Sequence, residues 1–372
     1  MSEVDLDQDF PEPRANEALQ GHEAAENHLR GALDSGRLHH AWLISGPKGI
    51  GKATLAYRFA RYVLTYGHDG GGGDTGLFSA ADLAPAGPDE GLFVAPENPV
   101  FKRIVAGGHT DLLVIERTEN DRGKMRTEIV VDDVRKSQNF FHMTAGEGGW
   151  RVIVVDAADE MNTNAANALL KMLEEPPPNA LLLLVCHNPG RLLPTIRSRC
   201  QKLRLEALAV ETVVSLMSRY APDMPADDAR VVAALAEGSI GRALDLINAG
   251  GLSVYGEVMA LLDGLPRIDV PALHKFATSC GGQKGGPTFE AASELIRWTL
   301  ARLIRHVGGG ATQLAASEAQ LFQRIGPALS VDRWLDVWDK VDHLLSSADH
   351  RNLDRKQVIL NAFSTMEQAV RS

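Results

Sequence analysis

The stretch GPKGIGKAT, Gly46–Thr54, decides how the chain is read. It follows AWLIS, Ala41–Ser45, a short apolar run suited to a buried parallel strand. It leads into ATLAYRFARYVLTY, Ala53–Tyr66, where Leu55, Phe59 and Val63 recur on one helical face. A strand, a glycine-rich turn and a helix form the context in which backbone N–H groups cradle phosphate oxygens, helped by the helix N-terminal dipole. Gly46, Gly49 and Gly51 allow the turn, and Lys52 stands where it would neutralise terminal phosphates. The pattern requires Ser or Thr next, to ligate Mg²⁺, and that position is Ala53. Thr54 lies about 100° further round the helix and does not substitute. Gly46, Gly49, Gly51, Lys52, Ala53 and Thr54 are the candidate nucleotide-binding residues, with metal-assisted hydrolysis expected to suffer more than phosphate binding.

A second strand tests this reading. RVIVVDAAD, Arg151–Asp159, is apolar and ends in Asp156, a further candidate for the nucleotide site. In hydrolysing versions the next residue is a Glu that activates water; here it is Ala157, which cannot polarise a water. Glu160 is too far along to replace it. Two losses, a hydroxyl and a carboxylate, point to a chain with no efficient ATP hydrolysis of its own. Arg197 and Arg199, in LLPTIRSRC (Leu192–Cys200), point outward from this logic. An arginine does nothing for a dead site in its own chain, but at an edge it can reach a neighbour's γ-phosphate and act in trans.

Around these motifs strands and helices alternate. DLLVIER (Asp111–Arg117), RVIVVDAAD and ALLLLVCH (Ala180–His187) read as strands, and VDDVRKSQNFFHM (Val131–Met143) and NAANALLKMLEE (Asn164–Glu175) as helices. That order predicts a parallel sheet with helices on both faces. Residues 1–15 are expected to be disordered, and a helical pattern starts at Asn16 and ends near Gly36. The Gly- and Pro-rich region 66–98, which opens on GHDGGGGDTG (Gly67–Gly76), reads as a mobile insertion. Beyond Leu208 helical patterns dominate. The expected division is an α/β P-loop domain over 16–207, a small helical lid over 208–262 and an all-α domain over 263–372. Trp334, Val337, Trp338, Val341, Leu344 and Leu345 keep helical spacing and read as a bundle core.

Composition narrows the function classes. Of 372 residues, 38 are Lys or Arg and 48 are Asp or Glu, a net charge of −10, which argues against coating nucleic acid by bulk charge. No apolar run is long enough to span a membrane, and the acidic start MSEVDLDQDF does not read as a secretory signal. Three scattered cysteines (Cys186, Cys200, Cys280) suggest neither a disulfide framework nor a zinc site, so a reducing cytoplasm is expected. The adjacent His39 and His40 enter a strand and are expected to face opposite sides, not to pair on a metal.

Taken together, LHHAWLISGPKGIGKATLA (Leu38–Ala56), NALLKMLEEPP (Asn167–Pro177) and LLPTIRSRC resemble the AAA+ clamp-loader subunits of bacterial DNA polymerase III. The resemblance runs from about Gly21 to about Asp245 and more weakly beyond, where NLDRKQVIL (Asn352–Leu360) is also similar. It implies an AAA+ domain, a lid, and a C-terminal collar that holds a five-subunit ring. It implies partners: the gamma/tau and delta subunits, the beta sliding clamp, and primer-template DNA contacted through the assembled complex by its backbone phosphates. A place in the DNA polymerase III holoenzyme, a DNA-directed DNA polymerase with nucleotidyltransferase activity, follows. Ser198-Arg199-Cys200 carries the arginine finger in that family, so Arg199 is the candidate catalytic residue, acting in trans. Ala53 and Ala157 fit the family's non-hydrolysing stator subunit, with ATP and Mg²⁺ bound weakly or not at all. Many relatives carry a four-cysteine zinc module where this chain has none in 66–98, so no zinc is expected. Family ATPases place a sensor arginine in a GS-x-R context, whereas GSIGRAL (Gly238–Leu244) puts Gly241 in that slot and displaces Arg242, which reads as an ordinary exposed helix residue. The first sensor position, near His187 or Asn188, is polar without being diagnostic. Two alternatives remain at this stage. One is an active ATPase of the same complex that uses Thr54. The other is a P-loop kinase acting on a small molecule, against which the long helical C-terminal region and Ser198-Arg199-Cys200 both speak.

Overall fold

The computed structural model describes residues 11–67, 91–120, 123, 125–142, 149–248, 250–282, 285–310, 316–351 and 353–371. The chain divides into two compact units, one of residues 1–223 and 237–242, the other of residues 224–236 and 243–372.

The first unit is built on five parallel strands: β1 (Ala41–Ser45), β2 (Leu112–Glu116), β3 (Arg151–Asp156), β4 (Ala180–Cys186) and β5 (Gln201–Arg204), in the order β2-β3-β4-β1-β5. Because successive strand side chains alternate, the inner strands feed two cores. Trp42, Ile44, Val152, Val154, Leu181, Leu183 and Val185 pack on one face with α1 (Glu23–Asp34), α2 (Lys52–Tyr66) and α3 (Pro99–Val105). Leu43, Ile153, Val155, Leu182 and Leu184 pack on the other with α4 (Val131–His142), α5 (Thr163–Glu174) and α6 (Pro194–Arg197). Helices on both faces explain why ALLLLVC is apolar throughout, since all seven residues are buried. This is an α/β fold with a parallel sheet, helices on both faces and a glycine-rich turn after β1, as the sequence predicts. A further helix, α7 (Val210–Tyr220), completes this unit.

Three expectations need correction. Residues 11–15 are not disordered: Ala15 N–H bonds to Glu12 O at 2.8 Å, and Arg61, 1 % exposed, reaches the Arg14 and Asn16 carbonyls at 2.7 and 2.8 Å. The rest of 1–15 lies outside the described residues. The first helix starts at Glu23, not Asn16; residues 16–22 instead lie against α2, where Arg58 also bonds the Glu17 carbonyl. Within the expected insertion, 68–90 lie outside the described residues, but Leu92 and Val94 are buried in the first core. Asn98 then caps α3, accepting from Val100 N–H with Pro99 in the first turn. Composition hid this helix because a short Pro-initiated turn carries little periodic signal.

The second unit is helical: α8 (Ala226–Leu235), the continuation of α9 (Ile240–Asn248) beyond Arg242, α10 (Gly251–Asp263), α11 (Val270–Ser279), α12 (Gly286–Val307), α13 (Ala316–Ile325), α14 (Val331–Arg351) and α15 (Arg355–Arg371). Trp334, Val337, Val341 and Leu345 are buried on α14, with Trp338 and Leu344 half-buried beside them. Trp334 donates its indole N–H to the Gly326 carbonyl at 3.1 Å, and Phe276 meets Phe363 edge-on at 6.2 Å. A buried pair, Arg302–Glu318 at 2.9 Å, ties α12 to α13. No helix among the described residues is long and apolar enough to cross a membrane.

Candidate phosphate-loop site and exposed arginine

The loop Gly46–Gly51 leaves the carboxyl end of β1, between β4 and β5, and enters α2 at Lys52. Gly51 is the helix N-cap at φ +105°, a backbone region that other residues avoid. Gly46 sits against the Leu205 carbonyl oxygen, 2.4 Å from where a Cβ would stand. The sequence therefore builds the turn that its glycines predict.

The turn is filled by the protein itself. Lys52 is 2 % exposed, and its Nζ donates to the Pro47 carbonyl at 2.5 Å, inside the same loop. Burial, only partly offset by Asp156 and Asp159, lowers its pKa to about 8. The segment Gly238–Arg242 lies on the loop: Gly241 N–H donates to Gly49 O at 2.9 Å, and the Ser239 hydroxyl donates to Lys48 O at 2.8 Å. His22 Nε2 is 2.8 Å from Ile50 O. Ala53 offers no hydroxyl, and Thr54 is buried at 7 % exposure within α2. Arg242 is not the exposed helix residue expected. Its side chain is 20 % exposed and pairs with Glu237 at 3.5 Å, because Gly238–Arg242 packs into the first unit.

Asp156 ends β3, as predicted. Burial first, then the Glu116 carboxylate, raises its pKa to about 6. Glu116 stands in register with it across the β2–β3 pair. Glu160 is held by Arg117 at 2.9 Å. Asp159 has a role the sequence reading missed: its carboxylate accepts the backbone N–H groups of His187 and Asn188, each at 2.9 Å, and its pKa is lowered by these bonds despite burial. It thereby fixes the end of β4 beside the loop. The His187 ring is kept below its ordinary pKa by burial and by Lys52. The only advance signal for Asp159 was the repeated acid in Asp156-Ala157-Ala158-Asp159.

His39 and His40 do not face opposite sides. Their rings stack at 4.4 Å, and His40 Nε2 lies 3.2 Å from the Leu173 carbonyl. No group of acidic, Cys or His residues among the described residues is arranged to hold a metal ion.

The arginine motif lies apart from the loop. Ile196 anchors α6 in the second core. Arg199 emerges beyond it, 36 % exposed, its Nη1 on the Thr195 carbonyl at 3.1 Å and its Nη2 on Glu174 at 2.8 Å. Arg197, two residues earlier, is the last residue of α6 and is half-buried. The loop residues and Asp156 are therefore gathered at the carboxyl ends of β1 and β3, and Arg199 is not among them.

Known proteins share this arrangement in sequence. Residues 92–209 match the family described as DNA polymerase III, delta subunit. The DNA polymerase III subunit delta' of Pseudomonas aeruginosa is 36% identical over 200 residues, 54% of this chain and 53% of that protein. Over about half its length the chain is similar to a subunit of DNA polymerase III. The tau subunit of Escherichia coli is 28% identical over 296 residues, 77% of this chain and 42% of that one. The chain spans about half the length of the curated relatives it matches. Among solved structures, a gamma subunit-related protein of Thermotoga maritima aligns over 94% of this chain and 99% of its own, with 15% identity and a TM-score of 0.41. The family match takes in Ser198-Arg199-Cys200 and leaves the loop Gly46–Thr54 outside it. The chemistry of each site is a separate question.

Proposed function

We propose that the chain is the delta-prime-type stator of a cytoplasmic DNA polymerase III clamp loader, a subunit that does not hydrolyse ATP and lends Arg199 to the ATP site of its neighbour. The observation that carries the reading is the state of Lys52. The residue that should meet a nucleotide's terminal phosphates donates instead to the Pro47 carbonyl of its own loop. Beside it, Ala53 offers no ligand for Mg²⁺ and Ala157 no base for water. Nucleotide would have to displace the loop's internal bonds, so ATP and Mg²⁺ bind weakly or not at all. Arg199, by contrast, stands at the surface with N–H groups to spare, which suits a planar guanidinium reaching a phosphate across a subunit boundary.

The partners follow from this reading: gamma/tau and delta subunits in the ring, the beta clamp, and primed DNA through the assembled complex. The helical second unit would serve as lid and collar.

The test is clamp- and DNA-stimulated ATP turnover by a loader reconstituted with gamma/tau and delta, comparing wild-type chain with Arg199→Ala, each also assayed alone. The isolated chain is expected to be silent, and Arg199→Ala to slow the complex. A transition-state arginine is worth about 10³–10⁵-fold at one site, diluted when other sites in the ring keep working. Turnover by the isolated chain, with no effect of Arg199→Ala in the complex, would refute the stator reading.

A further inference from the structure

Two segments that stand out in the sequence, Asn167–Pro177 and Leu192–Cys200, meet at one ion pair. Glu174 is the last residue of α5, and Arg199 lies just beyond α6. The Arg199 guanidinium is gripped on two nitrogens, with Nη2 donating to the Glu174 carboxylate at 2.8 Å and Nη1 to the Thr195 carbonyl at 3.1 Å. The Thr195 carbonyl also accepts the Ser198 hydroxyl at 3.1 Å, and Arg199 N–H bonds to Ile196 O at 3.1 Å. Backbone and side chain of this turn are therefore both held.

Stability does not explain the pair. The Arg199 and Glu174 side chains are 36 % and 50 % exposed, and a surface pair of this kind contributes little to folding. What it changes is freedom of movement. An arginine stem is long and rotamer-rich, and a transition-state group that must first be ordered gives up part of its effect. Both anchors are rigid: Met172 and Leu173 bury the end of α5, and Ile196 buries α6. A guanidinium has five N–H donors in one plane. With two of its nitrogens turned toward Glu174 and Thr195, the plane is set and further N–H groups remain for an acceptor outside the chain.

We infer that Glu174 is the positioning residue of Arg199, fixing the guanidinium plane so that its unused N–H edge is presented to phosphate oxygens of a nucleotide bound by the adjacent subunit. The inference rests on the trans-acting role proposed for Arg199. Glu174 does not touch the nucleotide; it acts only through the arginine. It also gives a physical reason for the acid at the end of NALLKMLEE: that helix terminus is where the guanidinium needs its second anchor.

The test uses the full chain in the reconstituted loader, with steady-state ATP turnover resolved into kcat and KM. The variants are Glu174→Gln, Glu174→Asp, Arg199→Ala and the double change Glu174→Gln with Arg199→Ala. Glu174→Gln is nearly isosteric and exposed, and a thermal unfolding scan of each variant checks that the fold is retained. Misplacement of a catalytic group by about 1 Å can cost up to 10²-fold. Glu174→Gln is therefore expected to reproduce about half or more of the logarithmic fall in kcat caused by Arg199→Ala. KM should be unchanged, because the nucleotide sits on the partner's loop. Glu174→Asp should recover part of the loss, and the double variant should be no slower than Arg199→Ala alone. If Arg199→Ala is slow but Glu174→Gln keeps or raises kcat, the positioning role is wrong and the stator reading stands. The positioning role is equally wrong if Glu174→Gln has its full effect on the Arg199→Ala background. If Arg199→Ala itself turns over at the wild-type rate, the stator reading fails and takes this inference with it.

Discussion

The backbone N–H of Gly241 donates to the carbonyl oxygen of Gly49 at 2.9 Å, and the two glycines meet backbone to backbone. A Cβ at Gly241 would stand 2.9 Å from the Gly49 Cα, a rigid neighbour that cannot swing aside. Gly241→Ala must therefore push the segment off the phosphate loop. Overpacking of this kind costs about 1–3 kcal/mol. The expected signature is lower stability to urea together with faster hydrogen exchange at the amides of residues 46–54. Unchanged exchange there would mean that the contact does not hold the loop.

Asp156 gives a pH dependence whose sign can be fixed. Its native pKa is raised to about 6, above the unfolded value near 3.8, so folding takes up a proton between those values. Its contribution to stability is fully present below about pH 3.8 and is lost as pH rises through about 6. Asp156→Asn removes this dependence. The stability of Asp156→Asn relative to wild type should therefore rise between pH 4 and pH 7, by something of the order of 2 kcal/mol. Urea denaturation at several pH values measures the difference, in which the other carboxylates cancel. A gap independent of pH would place Asp156 in a better-solvated setting than its burial indicates.

Glu26 and Arg58 form a buried pair at 2.6 Å, with side chains 8 % and 6 % exposed. Removing one partner leaves a stranded charge, which typically costs about 3–5 kcal/mol. Glu26→Ala should lose about that much by denaturant unfolding. Joint replacement by Glu26→Leu and Arg58→Met should recover much of the loss, since apolar substitutes of similar volume often match a buried pair. If the double variant is no better than the single, the pair is bound up with the Glu17 contact and not independent of it.

The three cysteines report on intactness. Cys186, Cys200 and Cys280 are buried, and burial pushes their thiols up to about 12, 12 and 11. At pH 8 fewer than about one in 10² of each is thiolate, and the thiolate is the reactive form. Native protein should resist iodoacetamide for hours and label at all three positions once unfolded in urea. Rapid labelling at one cysteine without denaturant would identify a locally opening segment.

Much of this molecule could be read from its residues, and the parts that could not share a cause. β1, β3 and β4 announce themselves because strands buried on both faces must be apolar throughout. The glycines of Gly46–Gly51 announce the turn because other residues avoid its backbone angles. The missing hydroxyl at Ala53 and carboxylate at Ala157 could be read as absences from a known pattern. What escaped was tertiary pairing. Nothing local in Ser239 and Gly241 says that they will lie on Lys48 and Gly49, some 190 residues away in the chain. The ordered segment 11–22 escaped for the same reason: it is held by Arg58 and Arg61, buried arginines on a helix whose apolar face alone was read. Glu174 was visible as part of a motif, but its partner Arg199 lies on another element.

The position of β1 has a consequence for how the chain is made. Its two neighbours are β4 and β5, so Ala41 must wait for Leu182, and Trp42 for Gln201, before either has a partner. Synthesis runs from the N-terminus at about 5–20 residues per second. AWLIS therefore emerges many seconds before the strands that will flank it, as an unpaired apolar segment of the kind that sticks to others. The glycine-rich turn cannot take its final shape in that interval, because the carbonyl it leans on, at Leu205, has not yet been synthesised. A nascent chain stalled short of β5 is in this respect a chaperone substrate and not a folded domain. The phosphate loop leaves the ribosome ahead of four of the five strands of its sheet, yet is among the last parts of its unit to assemble.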